Sequence, residues 1–155
     1  MASPSRIYGA AQSTLFALFA AGYFLDRSPA LFVSRSAAAA GLVLCAAGLL
    51  LMFSALRSLR DVVQVAPEPR AGGRLVTRGV YSRCRHPIYT AILILVAGLF
   101  LRKPTVPVGI GAALIVVFLA TKVRFEEKLL LERYPEYRDY RNRTWGMLPW
   151  RRSGH

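Results

Sequence analysis

Charge is excluded from four long stretches of this chain and crowded between them. Ile7–Leu25, Ser36–Leu56, Ile88–Leu101 and Pro104–Thr121 contain no Asp, Glu, Lys or Arg, over 19, 21, 14 and 18 residues. A helix rises about 1.5 Å per residue, and the hydrocarbon core of a bilayer is about 30 Å thick. The first two stretches are long enough to span it. The fourth is expected to continue as a helix through Lys122–Tyr134, where neither Gly nor Pro intervenes. The third rises only about 21 Å and is short for a span by itself. Taken with the fourth it reads as a hairpin turning at Arg102-Lys103-Pro104 through Pro107; a re-entrant hairpin is the alternative. The expected class is all-α: an integral membrane protein of about four transmembrane helices, ending in an amphipathic tail.

The remaining residues carry a formal charge of +13, from 21 Lys and Arg against 8 Asp and Glu. With four spans, both chain ends and the central loop lie on one side. That side collects 17 of the 21 cations: Arg6, seven Arg from Arg57 to Arg85, and nine Lys or Arg from Lys122 onward. Basic residues accumulate on the cytoplasmic side, so both termini are expected in the cytoplasm. The excess charge is then mostly topological, with attraction to anionic headgroups added, and the lipid bilayer is the expected partner. Nothing resembles a nucleic-acid-binding motif, and no nucleic-acid partner is expected. A hydrophobic content of 54% excludes disorder. The first apolar run exceeds the ~7–15 residues of a signal-peptide core and reads as a span.

Two cysteines, Cys45 and Cys84, are too few for a disulfide framework, and Cys84-Arg85-His86 cannot by itself fill a tetrahedral metal site. Ala37, Gly41, Cys45 and Gly48 recur near helical spacing in the second span, which permits close helix packing. Packing within the monomer is the simpler expectation. A dimer contact is the other, and the oligomeric state stays open. The Ala- and Arg-rich composition suggests a bacterium of high genomic GC content, hence its inner membrane.

Where could chemistry sit? No span holds a carboxylate, which argues against a proton-coupled transporter. Polar groups gather instead in Gln64–Tyr89 and Lys122–Tyr140, which flank the hairpin and should meet at the cytoplasmic interface. Gly79 suits a turn, and Pro87 suits the first turn of a helix, which sets His86 near the N-cap, where an anionic group is favoured. Lys122 and Glu126 fall four apart on one helix face; as surface residues they would form an ordinary ion pair. Tyr134, Tyr137 and Tyr140, with Trp145 and Trp150, read as a tail lying along the headgroups.

The chain reads Leu75-Val76-Thr77-x-Gly79-Val80-Tyr81, then Arg85-His86-Pro87-x-Tyr89, then the hairpin. Glu126-Glu127-x-Leu129-Leu130 and Tyr134-Pro135-Glu136-Tyr137-Arg138-Asp139-Tyr140 follow. The order of these blocks resembles the isoprenylcysteine carboxyl methyltransferase family and its bacterial relatives. The likeness covers about Val62 to Pro149, dividing the chain into a two-helix membrane part, 1–61, and a methyltransferase core, 62–155.

That resemblance implies an intramembrane enzyme transferring a methyl group from S-adenosylmethionine to a lipophilic acceptor. It implies that Gln64, Leu75, Val76 and Tyr81 line the adenosine and methionine parts of the cofactor. His86, Pro87, Ile88 and Tyr89 would hold it at a helix N-terminus, and Glu126 and Glu127 would meet its amino or hydroxyl groups. Lys122 stands where the eukaryotic enzymes carry an Arg, and Lys122 or Arg124 would orient an anionic acceptor such as a carboxylate. A Lys lacks the planar two-pronged grip of an Arg. Pro67–Gly73 also looks poorer in polar cofactor contacts than the family usually is. Prenylated proteins are not expected in a bacterium, so the acceptor is expected to differ. A membrane reductase using NADPH and a non-catalytic membrane protein or small transporter are the rival readings.

Overall fold

The structure, a computed structural model, describes residues 4–60 and 75–147. Gln64, Pro67–Gly73 and Trp150 lie outside the described residues. Among the described residues five α-helices follow one another: α1 (Pro4–Leu25), α2 (Arg35–Leu59), α3 (Pro87–Arg102), α4 (Val106–Arg133) and the short α5 (Tyr137–Arg143). A 3-10 turn, Gly79–Ser82, precedes α3. Each uncharged stretch is helical, the fourth from Val106 onward, and α4 runs on through the charged segment as its lack of Gly and Pro requires.

Local chemistry fixes the ends. Ser34 caps α2 by accepting from the Ala37 N–H, and Thr105 caps α4 by accepting from the Val108 N–H. Pro87 opens α3, where no N–H is missed. Gly79 has φ +61°, and a Cβ there would stand 2.5 Å from the Ser58 Oγ, so only glycine fits the turn against the end of α2.

The helices associate in two pairs, α2 on α3 and α1 on α4, joined where α3 meets α4. The small residues of α2 serve the first pair. A Cβ on Gly41 would come within 2.6 Å of the Gly98 carbonyl oxygen, and one on Gly98 within 2.7 Å of the Gly41 carbonyl oxygen. Gly48 lies equally close to Leu95 and Ala91. The stripe is therefore a packing surface within the monomer. Aromatic rings fill the second pair: Tyr8 stacks on Phe125 with centroids 4.8 Å apart, and Phe19 lies against Gly111. Val96, Ile115 and Leu119 form a core between the pairs.

The apolar residues mostly face outward. Leu42, Val43, Leu49, Leu50 and Phe53 of α2 and Ile110, Leu114 and Val117 of α4 are all exposed. A soluble bundle would bury such faces; exposed apolar faces of this extent suit contact with lipid. By length and composition α2 and α4 can each cross a membrane, whereas α3 is a shorter apolar helix of 16 residues.

At the end of the bundle where α3 turns into α4, the loop after α1 is fastened down. Thr105 donates to the Asp26 carboxylate at 2.6 Å, and Lys103 lies 3.8 Å from it. Lys103 also donates to the carbonyls of Tyr23 and Asp26. Hydrogen bonds from Ser28 and Thr105 hold the Asp26 carboxyl down at about 2.

Candidate functional site

At the opposite end, the loop before α3 meets the far half of α4. His86 is the N-cap of α3 but makes no side-chain cap bond. Its ring stacks on Tyr89 with centroids 5.7 Å apart, and its Nε2 lies 3.3 Å from Glu127 Oε1. The Tyr89 hydroxyl donates to Glu126 Oε1 at 2.6 Å. Lys122, 6% exposed, sets its ammonium 3.7 Å from the same oxygen and 5.3 Å from the centre of the Tyr89 ring. A loop before one helix and the later turns of another thus converge on two adjacent carboxylates.

The two glutamates have different surroundings. Glu127 is held from three sides: Arg85 Nε donates to it at 3.0 Å, His86 approaches it, and Arg141 Nε lies 3.7 Å from its second oxygen. The Arg85 side chain, 2% exposed, also donates to the Arg141 carbonyl at 2.8 Å and to the Thr144 carbonyl. Glu127 and Arg85 therefore tie α4, the loop before α3 and the segment after α5 together. Glu126 has the Tyr89 hydroxyl and, farther off, Lys122.

Tyr81 stands at the edge of the cluster. Burial, reinforced by Cys84 and Glu126 nearby, pushes its phenol up to about 12, so it remains a hydrogen-bond donor at neutral pH. Leu75, Val76 and Ile88 are half-buried and supply apolar surface; Pro87 is buried.

Among the candidates, the structure brings together His86, Pro87, Tyr89, Lys122, Glu126 and Glu127, with Tyr81 beside them. Arg124 is a correction. It is exposed, because two residues of helix turn it about 200° away from Lys122. The tail needs correction too. Tyr137 and Tyr140 are 1% and 5% exposed, so they are not headgroup anchors. The Tyr140 hydroxyl donates to the Tyr81 carbonyl at 2.6 Å, and burial pushes both phenols up. The spacing of three that suggested an interfacial stripe places two of these rings against the protein instead.

Sequence reasoning missed two further elements. Residues 144–147 run beside the loop before α3, joined by Arg85 N–H to the Trp145 carbonyl at 2.9 Å and Trp145 N–H to the Arg83 carbonyl at 3.0 Å. Cys84 and Thr90 add bonds to the carbonyls of Gly146 and Met147. No local pattern signals such a long-range backbone pairing. The other is Gln12 of α1, whose side-chain oxygen accepts from the Lys122 ammonium. It is a polar residue on an apolar helix, and that was a signal available to be read. Among the described residues no group of three or more His, Cys, Asp or Glu side chains could hold a metal ion.

Residues 36–137, from the start of α2 to the start of α5, match the sequence pattern of the phospholipid methyltransferase family. This protein belongs to that family. The phospholipid methyltransferase pattern thus embraces the clustered residues from Tyr81 to Glu127 and leaves out Gln12, Tyr140, Arg141 and the segment after α5. Two curated relatives are the nickel-cobalt-cadmium resistance protein NccN of Alcaligenes xylosoxydans xylosoxydans and the cobalt-zinc-cadmium resistance protein CzcN of Cupriavidus metallidurans. Each is 35% identical over 81 residues, 52% of this chain and 38% of the relative. The match therefore spans about two fifths of those proteins. Among solved structures, the eukaryotic intramembrane Ras methyltransferase ICMT (isoprenylcysteine carboxyl methyltransferase) superposes with a TM-score of 0.67 at 21% identity. All of this chain and 56% of ICMT are covered, so the two share a fold.

Proposed function

We propose that this membrane methyltransferase takes its methyl group from S-adenosylmethionine and passes it to a lipophilic acceptor. The observation that carries the reading is Glu126, a carboxylate bound by a tyrosine hydroxyl beside the start of α3. The donor set fits that cofactor. A helix N-terminus beside His86 suits its carboxylate, and Glu126 suits its ammonium or ribose hydroxyls. Half-buried Leu75, Val76 and Ile88, with Tyr81, suit an adenosine. When bound, S-adenosylmethionine supplies a methyl carbon activated by an attached sulfonium.

The chain's own part is to bind, to orient and to exclude water. His86, Pro87, Ile88 and Tyr89 would hold the cofactor at the start of α3, and Gln64, outside the described residues, is assigned with Leu75, Val76 and Tyr81 to its adenosine and methionine parts. Glu127, engaged with Arg85 and His86, acts by holding those residues in place. Lys122 stands on the membrane side of Glu126 as the cation beside the acceptor. A carboxylate acceptor needs no general base, whereas an amine or thiol would pass its proton to His86 or Glu126. The acceptor enters sideways from the bilayer and the cofactor from the cytoplasm. Both termini lie in the cytoplasm, and the bacterial inner membrane is the site of action.

Titrating purified, detergent-solubilised protein with S-adenosylhomocysteine and, separately, NADPH tests the reading. S-adenosylhomocysteine should give a binding heat and raise the melting temperature by linkage. Silence toward it at saturation, or a response to NADPH alone, removes the proposal. Reporter fusions at the two ends test the topology: Met1 and His155 should report the same, cytoplasmic, side.

A further inference from the structure

Lys122 occupies the position at which a helix leaves the apolar stretch, where a lysine ordinarily extends its stem toward the headgroups. It does the opposite, turning inward to 6% exposure with its ammonium over Tyr89. Its separation from Glu126, 3.7 Å, exceeds the ~2.7–2.9 Å of a direct ammonium–carboxylate hydrogen bond. Gln12 accounts for both facts. Its side-chain oxygen, on α1, accepts from the Lys122 ammonium and approaches it more closely than Glu126 does.

Gln12 lies on the packed face of α1. Tyr8, one turn before it, stacks on Phe125, while Leu15, Phe16 and Phe19, following at helical spacing, pack on the core. An amide set in such a row costs free energy unless it is hydrogen-bonded, and Lys122 supplies the bond. Gln12 also precedes residues 36–137, the region the family pattern matches.

We infer that Gln12 is a positioning residue: it holds the Lys122 ammonium off Glu126 and so keeps that carboxylate available to a ligand. The inference rests on the reading of Glu126 as a cofactor-binding group. Without Gln12, the buried ammonium has one strong acceptor left and closes onto Glu126. The ligand then competes with a formed ion pair.

The test uses the full chain, with S-adenosylhomocysteine as the probe. Gln12→Leu keeps the volume and removes the acceptor. Its affinity should fall about tenfold, the effect of occupying a charge-assisted hydrogen-bond acceptor. Lys122→Met alone should bind within about twofold of wild type, and Gln12→Leu/Lys122→Met should return to that level. A merely structural glutamine predicts no such rescue, because deleting a second buried partner repairs no packing.

A cofactor-independent arm follows acylation of Lys122 by peptide mass spectrometry, with exposed Lys128 as internal reference. Gln12→Leu should slow Lys122 labelling several-fold relative to Lys128. Faster labelling would mean that the lysine swings out to the headgroups, and that overturns the inference. So does unchanged affinity in Gln12→Leu, or a double variant as weak as the single one. Wild-type protein that ignores S-adenosylhomocysteine removes the cofactor reading and this role with it. In that event the labelling arm still scores the Gln12–Lys122 contact separately.

Discussion

Both ends of the bundle set acids against bases, yet they are built differently. At the α3–α4 turn, Asp26 takes hydrogen bonds from Ser28 and Thr105, and Lys103 spends its donors on two backbone carbonyls. That end is a staple that joins α1 to the hairpin. At the opposite end, Arg85 and Glu127 make a comparable tie, but Glu126 has a cation held at 3.7 Å. The Tyr137 hydroxyl and Arg141 Nε there are buried without a hydrogen-bond partner among the described residues. Complete satisfaction at the first end leaves bonds that hold helices together. Incomplete satisfaction, which costs free energy in a buried network, is what the ligand site proposed at the other end would draw on.

Four perturbations test that contrast. The largest effect should come from Arg85→Met, which strands Glu127 among buried groups and unties the segment after α5. A loss of about 3–5 kcal/mol, the cost of breaking a buried pair, should appear in thermal unfolding in detergent. Glu126→Gln should instead leave the melting temperature nearly unchanged and weaken S-adenosylhomocysteine binding by ~1.5–3 kcal/mol. Glu132→Gln, exposed and farther along α4, is its control and should change neither. Equal effects from the two would reduce this end to charged surface.

Thr105→Val, at the stapled end, removes a helix cap together with the bond to Asp26. It should lower stability by about 1–2 kcal/mol with no change in ligand affinity. An affinity loss as large as that of Glu126→Gln would erase the distinction between the ends. The smallest effect concerns acid. The Asp26 carboxyl sits at about 2 when folded, against 3.8 as its ordinary value. Its contribution is therefore complete above 3.8 and is lost as the pH falls toward 2. Melting curves of wild type and Asp26→Asn should converge across that interval and stay apart above it.

The elements were legible because charge is so cleanly excluded from them. Uncharged length located α1 to α4, and the absence of Gly and Pro from Lys122 to Tyr134 located the extension of α4. The cluster was legible where a local rule applied: Pro87 marked the start of α3, and spacing of four joined Lys122 to Glu126. Rules of local spacing failed where the partner came from elsewhere. Arg124 shares a segment with Lys122 but not a face. Tyr137 and Tyr140 have the composition of an interface and the environment of a core. The choice between those depended on a backbone pairing across 61 residues, Cys84 with Trp145, which leaves no periodic trace. Gln12 escapes such rules because one amide scarcely alters the hydrophobic character of a helix, although a half-buried amide needs a partner.

The glycine contacts between α2 and α3 bear on the one helix whose length left its place in a membrane doubtful. Backbone against backbone at Gly41 and Gly98 leaves no room for sliding, so α3 cannot shift along α2 without collision. An independent 16-residue helix would answer a thick bilayer by thinning it or by rising toward one surface. Fastened to 25-residue α2, it takes its depth from that neighbour instead. Hydrophobic mismatch then falls on the pair, and the start of α3, with His86 and Tyr89, keeps a fixed height relative to the headgroups.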